Sequence, residues 1–299
     1  TCVISDDASS PEGSALIRAE TQSDDRFVVV EHSQRLGSYR NFERALSSID
    51  PASIDLIALC DQDDLWHPDK LATLVAEVGA DTPLVFSAMR VIDAQSAGEP
   101  IGRYPAANSR PLVGVDELLI NNVVPGASAM FRSTLLPTIL PFPDETARSF
   151  HDQWIAVVAA AIGAIRYIDR ELYDYRQHDA NAVGHRDRST QLASRRQRLR
   201  GRAITGVVQD AALSYETEVP WIEAMATALA QRVSDRPGPQ LRPKVADLSR
   251  LRSAPRARAL IARHAISPVR AHRSLSAERR LLAALTVGRL ASAWFNRSR

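Results

Sequence analysis

The chain has 299 residues, 45% apolar and 24% charged, which allows a sizeable core and excludes wholesale disorder. Its net charge of +2 hides two regions of opposite sign. Residues 1–184 carry 14 basic against 27 acidic side chains (net −13), and residues 185–299 carry 23 against 8 (net +15), so the two regions are expected to have different jobs.

Thr1–Ser5 reads as a strand running into Asp6-Asp7-Ala8-Ser9-Ser10. Residues 11–22 follow as a helix, with Ser10 as N-cap and Pro11 in the first helical position. Asp6 and Asp7 could accept hydrogen bonds from a nucleobase or ribose, or could close an Asx turn. Phe27–Glu31 is a β-branched strand, and residues 39–49 form a helix with Phe42, Ala45, Leu46 and Ile49 on one face. Cys2 and Cys60 lie in apolar, strand-like runs and read as buried thiols, not as a disulfide or zinc site.

The apolar run Leu56–Cys60 ends in Asp61-Gln62-Asp63-Asp64-Leu65-Trp66, and a helix over Pro68–Val78 follows. Three carboxylates at a strand end repel each other and lose hydration. A divalent cation relieves both, and oxygen ligands suit Mg²⁺ or Mn²⁺. Helix capping by Asp64 explains one of the acids, not three. Leu84–Ser87 and Met89–Ile92 read as strand, 101–113 as loop, Val115–Ile120 as helix and Gly126–Arg132 as strand. At Gly126-Ala127-Ser128 the backbone could approach a ligand, or strands could pack tightly.

Phe150–Ile162 is a strongly apolar helix that opens His151-Asp152-Gln153-Trp154. Asp152 could be a general base or an acid complementing the helix dipole. Ile165–Ile168 and Leu172–Arg176 are short strands, and the second leads into Gln177-His178. His178 could join carboxylates around a metal or be an ordinary polar group. Strands alternating with helices predict an α/β fold with a mostly parallel central sheet, and ligands beyond the carboxyl ends of its strands.

From Ser189 the chain is helical and rich in Arg and Ala, so the expected division is 1–188 and 189–299. Residues 276–295 place Leu281, Leu282, Leu285, Val287, Leu290, Trp294 and Phe295 near one helix side, flanked by Arg279, Arg280 and Arg289. That stripe fits an anionic membrane surface or packing on its own domain. No leader or bilayer-length apolar run is apparent, which predicts a reducing, cytoplasmic setting, peripheral at the inner face of the plasma membrane if the tail binds lipid.

Taken in order, Asp6-Asp7-Ala-Ser, Gly37…Asn41-Phe42, Asp61-Gln-Asp-Asp-x-Trp66…Lys70, Gly126-Ala-Ser, His151-Asp-x-Trp and Tyr175-Arg-Gln-His-x-x-Asn resemble the family-2 glycosyltransferases of GT-A fold. The similarity covers roughly residues 2–184 and is nearest the bacterial rhamnosyltransferase-like branch that builds cell-surface polysaccharides. It implies a nucleotide-diphospho-sugar donor, an Mg²⁺ or Mn²⁺ cofactor and a glycan or polyprenyl-linked acceptor, with no nucleic-acid partner. By the same resemblance Asp6 and Asp7 contact the base, and Arg40 and Asn41 lie beside the nucleotide. Asp61 lies near the ribose or the metal, Asp63 is the main metal ligand with Asp64 beside it at the donor sugar, His178 reaches the metal or the diphosphate, and Gly126 lines the pocket. Asp152 is the base of inverting transfer, and Trp154 borders the acceptor. Members of the family begin with a further strand and helix of roughly 30 residues, so an N-terminal truncation that weakens donor binding is expected. Two other functions fit acids at strand ends: a metal-dependent nucleotidyltransferase, and a non-catalytic nucleotide-sugar or glycan-binding module.

Overall fold

The structure, a computed structural model, describes residues 1–93, 99–107, 109, 111, 113–177, 204–233, 241–253, 259, 261 and 281–288. The chain opens with β1 (Cys2–Asp6), α1 (Pro11–Thr21) and β2 (Phe27–Glu31). β1 and β2 pair in parallel, from Cys2 opposite Phe27 to Asp6 opposite Glu31, as a two-stranded sheet. Helix α1 starts as its sequence dictates: the Ser10 hydroxyl accepts from the Gly13 amide at 3.2 Å, and Pro11 occupies the first turn. α2 (Ser38–Ser47) then leads to β3 (Leu56–Ala58), β4 (Leu65–Trp66) and α3 (Lys70–Ala76).

The larger sheet runs β3–β7–β5–β8–β4, with β5 (Leu84–Asp93), β7 (Ala129–Arg132) and β8 (Arg166–Gln177) at its centre. β6 (Pro100–Tyr104) pairs with β5 outside that path. The α/β class is as expected, but the pairing is mixed. β1–β2 and β5–β8 are parallel, whereas β3–β7, β5–β7, β5–β6 and β4–β8 are antiparallel. β6 corrects the expected loop over 101–113. The two short strands expected at each of β5 and β8 are single long ones that cross register shifts. Expected strand Leu56–Cys60 stops at Ala58, and both Cys2 and Cys60 are exposed, not buried.

Between β6 and β8 lie α4 (Val115–Ile120), a 3-10 turn at Gly126–Ser128, α5 (Leu136–Ile139) and α6 (His151–Ile162). Helix α6 is apolar on every side, and such a helix belongs in an interior. Trp154 through Ala159 are all buried in it. One apolar cluster gathers α6, α4, Phe86 and Phe131 of the sheet, and Tyr39 and Leu46 of α2. The same cluster takes in α7 (Ile204–Arg232) through Val219, Trp221, Ile222 and Met225, and α8 (Leu241–Leu248) through Val245 and Leu248. Leu281 and Leu285 of the expected amphipathic stripe are also buried in it. Their side chains face the protein's own core; Leu290, Trp294 and Phe295 lie outside the described residues. Among the described residues, no helix is long and apolar enough to cross a membrane.

One ionic clamp holds the sheet edge that matters for the site. Asp174 of β8 accepts from Arg90 Nε and Nη2 of β5, both at 2.6 Å, and pairs with His67 Nε2 at 2.8 Å. Burial pushes the Asp174 carboxyl up, but the Arg90 hydrogen bonds outweigh it and the net shift is downward. His67 directly follows β4, so the clamp fixes the strand that closes the acidic turn.

Candidate active site

The turn from β3 to β4 carries Asp61, Asp63 and Asp64, all half-buried. Strand β3 ends because Leu59 makes one long bond to the Ala129 carbonyl (3.4 Å) and the backbone then turns, with the Asp64 amide on the Asp61 carbonyl at 3.4 Å. Burial raises the Asp61 carboxyl; His151 nearby counters this, while Asp152 and Asp63 add repulsion. Burial, with repulsion from Asp61 and Asp63, pushes Asp64 up to about 7. Neither carboxylate oxygen of Asp64 has a hydrogen-bond partner. An unsatisfied buried carboxylate is costly, so this atom pair fits a bound cation.

Among the described residues no group of three His, Cys, Asp or Glu side chains could hold a metal by itself. Mg²⁺ and Mn²⁺ commonly take one or two protein carboxylates and complete their shell with substrate phosphates and water. Asp63 and Asp64 are the carboxylates of this turn that could contribute oxygens to such an ion. His178 lies outside the described residues.

Asp152 stands across from this turn at the start of α6. Asn122 Nδ2 and the Gln153 amide both donate to its Oδ1 at 2.8 Å, and the Gly126 amide donates to Oδ2 at 3.1 Å. Burial nevertheless wins and raises its pKa. The raised pKa makes it a stronger base, and Oδ2, holding one of these three bonds, keeps a lone pair. Gly126 is required here. A Cβ on it would lie 2.9 Å from His151 Nε2 and 3.4 Å from Asp152 Cβ. The expected strand over Gly126–Arg132 thus begins with a tight 3-10 turn that presents an amide to the carboxylate. His151 stacks on Phe42 with ring centroids 3.8 Å apart, and its Nε2 is buried without a partner. Burial drops its pKa to about 4, which keeps the imidazole neutral.

Lys70 is the residue to which the sequence reading gave no role. Its side chain is fully buried and its ammonium donates to the Ala127 carbonyl. It lies 3.9 Å from the Trp66 ring centroid and 4.5 Å from that of Tyr173. Burial lowers its pKa to about 7, while Cys60, Asp64 and Asp61 act in the opposite direction. A cation beneath the acidic turn offsets part of its charge and ties the turn to the loop that holds Asp152. The sequence signal was present, a lysine six residues after the acids at the start of a helix.

The N-terminal residues are engaged within the protein. Asp6 is buried; it accepts from the Ser9 amide at 3.0 Å and the Ser14 hydroxyl at 2.9 Å, and the Ser9 hydrogen bonds lower its pKa. It closes a turn in which Ala8 has φ +57°, a left-handed conformation that costs a non-glycine residue about 1–2 kcal/mol. Asp7 accepts from the Leu36 amide at 2.5 Å and the Gly37 amide at 2.9 Å, and so fixes the loop entering α2. Asn41 exchanges hydrogen bonds with Ser5, receiving its hydroxyl at 2.6 Å and donating to its carbonyl at 3.0 Å. Arg40 bonds Glu43 at 2.7 Å and the Pro143 carbonyl at 3.3 Å. Asp6 and Asn41 support the fold in this way. An open groove of about 460 Å³, lined by His32, Leu36, Arg44 and Ser48 among others, lies beside the Asp7 loop. None of Asp61, Asp63, Asp64 and Asp152 lines it.

Trp154 departs from its expected place. It is fully buried, its indole N–H donates to the Ile139 carbonyl at 2.9 Å, and the Arg232 guanidinium sits 5.2 Å from its ring. On a helix buried on all sides, a residue two positions past Asp152 points into the core, away from any acceptor at the surface.

Residues 1–136 match the family described as Glycosyl transferase family 2. No curated protein is similar enough to match the chain. Among solved structures, S. aureus TarS 1-349 in complex with UDP-GlcNAc superposes with TM-score 0.52 at 14% identity, covering 99% of this chain and 82% of that one. TarS 1-349 without that ligand in its description gives 0.50 at the same identity and coverage. At this identity the likeness speaks for the fold. The family match over residues 1–136 and the TarS superposition together mark the chain as a glycosyltransferase of GT-A fold.

Proposed function

We propose that the chain transfers a sugar with inversion from a nucleotide-diphospho-sugar to a hydroxyl, with Asp152 as general base and the β3–β4 acidic turn facing the diphosphate. The observation that carries this reading is the opposition of two kinds of carboxylate. The carboxylate oxygens of half-buried Asp64 are shut off from water without a well-formed hydrogen bond, as suits a cation site, while Asp152 is held by three N–H donors with a lone pair left over. A divalent cation bound at Asp63 and Asp64 would offset charge growing on the departing diphosphate. Asp152 Oδ2 takes the acceptor proton while the acceptor oxygen attacks the anomeric carbon opposite the leaving group. The transition state is oxocarbenium-like. Lys70 and the Gly126 turn keep the two carboxylate sets at a fixed spacing.

The family resemblance supports a glycan or polyprenyl-linked acceptor in cell-surface polysaccharide synthesis, and rhamnose among the candidate sugars. TarS has been crystallised with UDP-GlcNAc, so UDP-sugars come first in a donor screen. Thermal-shift measurements with UDP-GlcNAc, GDP-mannose and dTDP-rhamnose, each with and without Mn²⁺, are expected to show one donor whose stabilisation needs the ion. That donor is then expected to yield its nucleoside diphosphate. Release of pyrophosphate instead would point to nucleotidyl transfer, and binding without turnover to a non-catalytic module.

A further inference from the structure

Helix α7 lies beyond the matched family domain, in the basic region of the chain, yet it reaches the base. The Trp221 indole N–H donates to Gln153 Oε1 at 2.8 Å. Gln153 Nε2 donates to the carbonyls of Leu118 (2.8 Å) and Leu119 (3.4 Å) at the end of α4. Trp221 is 2% exposed and Gln153 is 4% exposed, so water does not substitute for these bonds. The orientation of the Gln153 amide is unambiguous, because carbonyls only accept and an indole N–H only donates.

Gln153 is also the residue whose backbone amide donates to Asp152 Oδ1. Its side chain locks the first turn of α6 to the end of α4. The chain just past α4 carries Asn122, the second donor to the same Oδ1. One buried amide thus sets the spacing between two of the three groups that hold Asp152, and Trp221 holds that amide. α7 is anchored on either side of this contact. Arg148 and Glu218 pair at 2.6 Å, and Arg232 donates to the Thr138 and Ile139 carbonyls at 3.0 and 2.9 Å. The Trp221 ring also meets Tyr39 of α2 edge-on, with centroids 5.6 Å apart.

We propose that Trp221 is a positioning residue for Asp152, acting through Gln153, and that the C-terminal helix α7 is part of the catalytic unit. This rests on the reading of Asp152 as the base. Among the described residues, the titratable groups facing Asp152 are Asp61 on the acidic turn, Tyr173 of β8, and His151 beside it on its own helix.

The test follows the Asp152 carboxyl directly and needs no donor. In protein carrying ¹³C-carboxyl aspartate, the Asp152 signal is identified by its loss in Asp152→Asn. Trp221→Phe keeps the ring and deletes the N–H donor; Gln153→Met breaks the same link from the other end. In each folded variant the Asp152 titration midpoint is expected to rise by about half a pH unit or more, because the N–H bonds that favour the carboxylate loosen. A merely structural role lowers the unfolding temperature and leaves that midpoint in place. An unchanged midpoint in folded variants overturns the proposal. So does failure of both variants to fold, which would make the pair a folding element. If the midpoints rise but Asp152→Asn still transfers sugar at the wild-type rate, the positioning stands and the assignment of the base falls.

Discussion

Replacing Asp152 with Asn is expected to lower kcat by roughly 10²–10⁴-fold, the usual contribution of a general base, and to leave donor binding intact. Asparagine is nearly isosteric and its carbonyl oxygen can keep one or two of the bonds from Asn122, Gln153 and Gly126, so the loop geometry survives. What is lost is proton affinity at the atom facing the acceptor. In the wild type burial raises that affinity, so the acid limb of the kcat profile is expected above the ordinary carboxylate range. Steady-state release of nucleoside diphosphate, with calorimetry of donor binding, separates the two quantities. Wild-type turnover in Asp152→Asn would remove Asp152 from the chemistry.

Asp64→Asn is expected to gain stability and lose ion-dependent donor binding together. Asp64 titrates near 7 in the folded chain against an ordinary 3.8. Between those values the folded state holds more protons than the unfolded state, so stability falls as pH rises. The destabilisation is complete above about pH 7 and absent below about pH 4. The Asn variant should therefore unfold at a higher temperature than wild type at about pH 8 and at nearly the same temperature at about pH 4. Added Mn²⁺ with donor should stabilise the wild type and do little for the variant. Equal unfolding temperatures at both pH values would mean that the Asp64 carboxylate is not strained in the free protein. The contrast reflects a common trade: a site built to receive a cation is uncomfortable without one.

Local signals showed the order of elements well. Ser10-Pro11 marks the start of α1, the β-branched run Phe27–Glu31 is β2, and the apolar stretch after His151 is α6. β6 escaped notice because Pro100 and Gly102 are poor strand residues; its pairing with β5 is supplied by tertiary contact. Strand direction was illegible for the same reason, since alternation with helices says nothing about which neighbour a strand pairs with. In the site, acids clustered at a strand end could be read from charge repulsion alone. The engagement of Asp6 by Ser9 and Ser14, and of Asn41 by Ser5, depends on where side chains from separate segments meet. The resemblance alone set Trp154 beside the acceptor, and on a helix buried all round its side chain enters the core. Lys70 could be seen in the motif but its burial could not, and Trp221 was hidden because a tryptophan in a helix looks the same whether it faces water, core or site.

Sugar transfer by this chain requires the acidic turn after β3 to receive an ion together with a diphosphate. Calorimetric titration of UDP, GDP and dTDP with and without Mn²⁺, on wild type and Asp63→Ala, tests this most directly. At least one nucleotide is expected to bind the wild type only when Mn²⁺ is present, and not to bind Asp63→Ala. Binding that ignores the ion, or that survives Asp63→Ala unchanged, would contradict it.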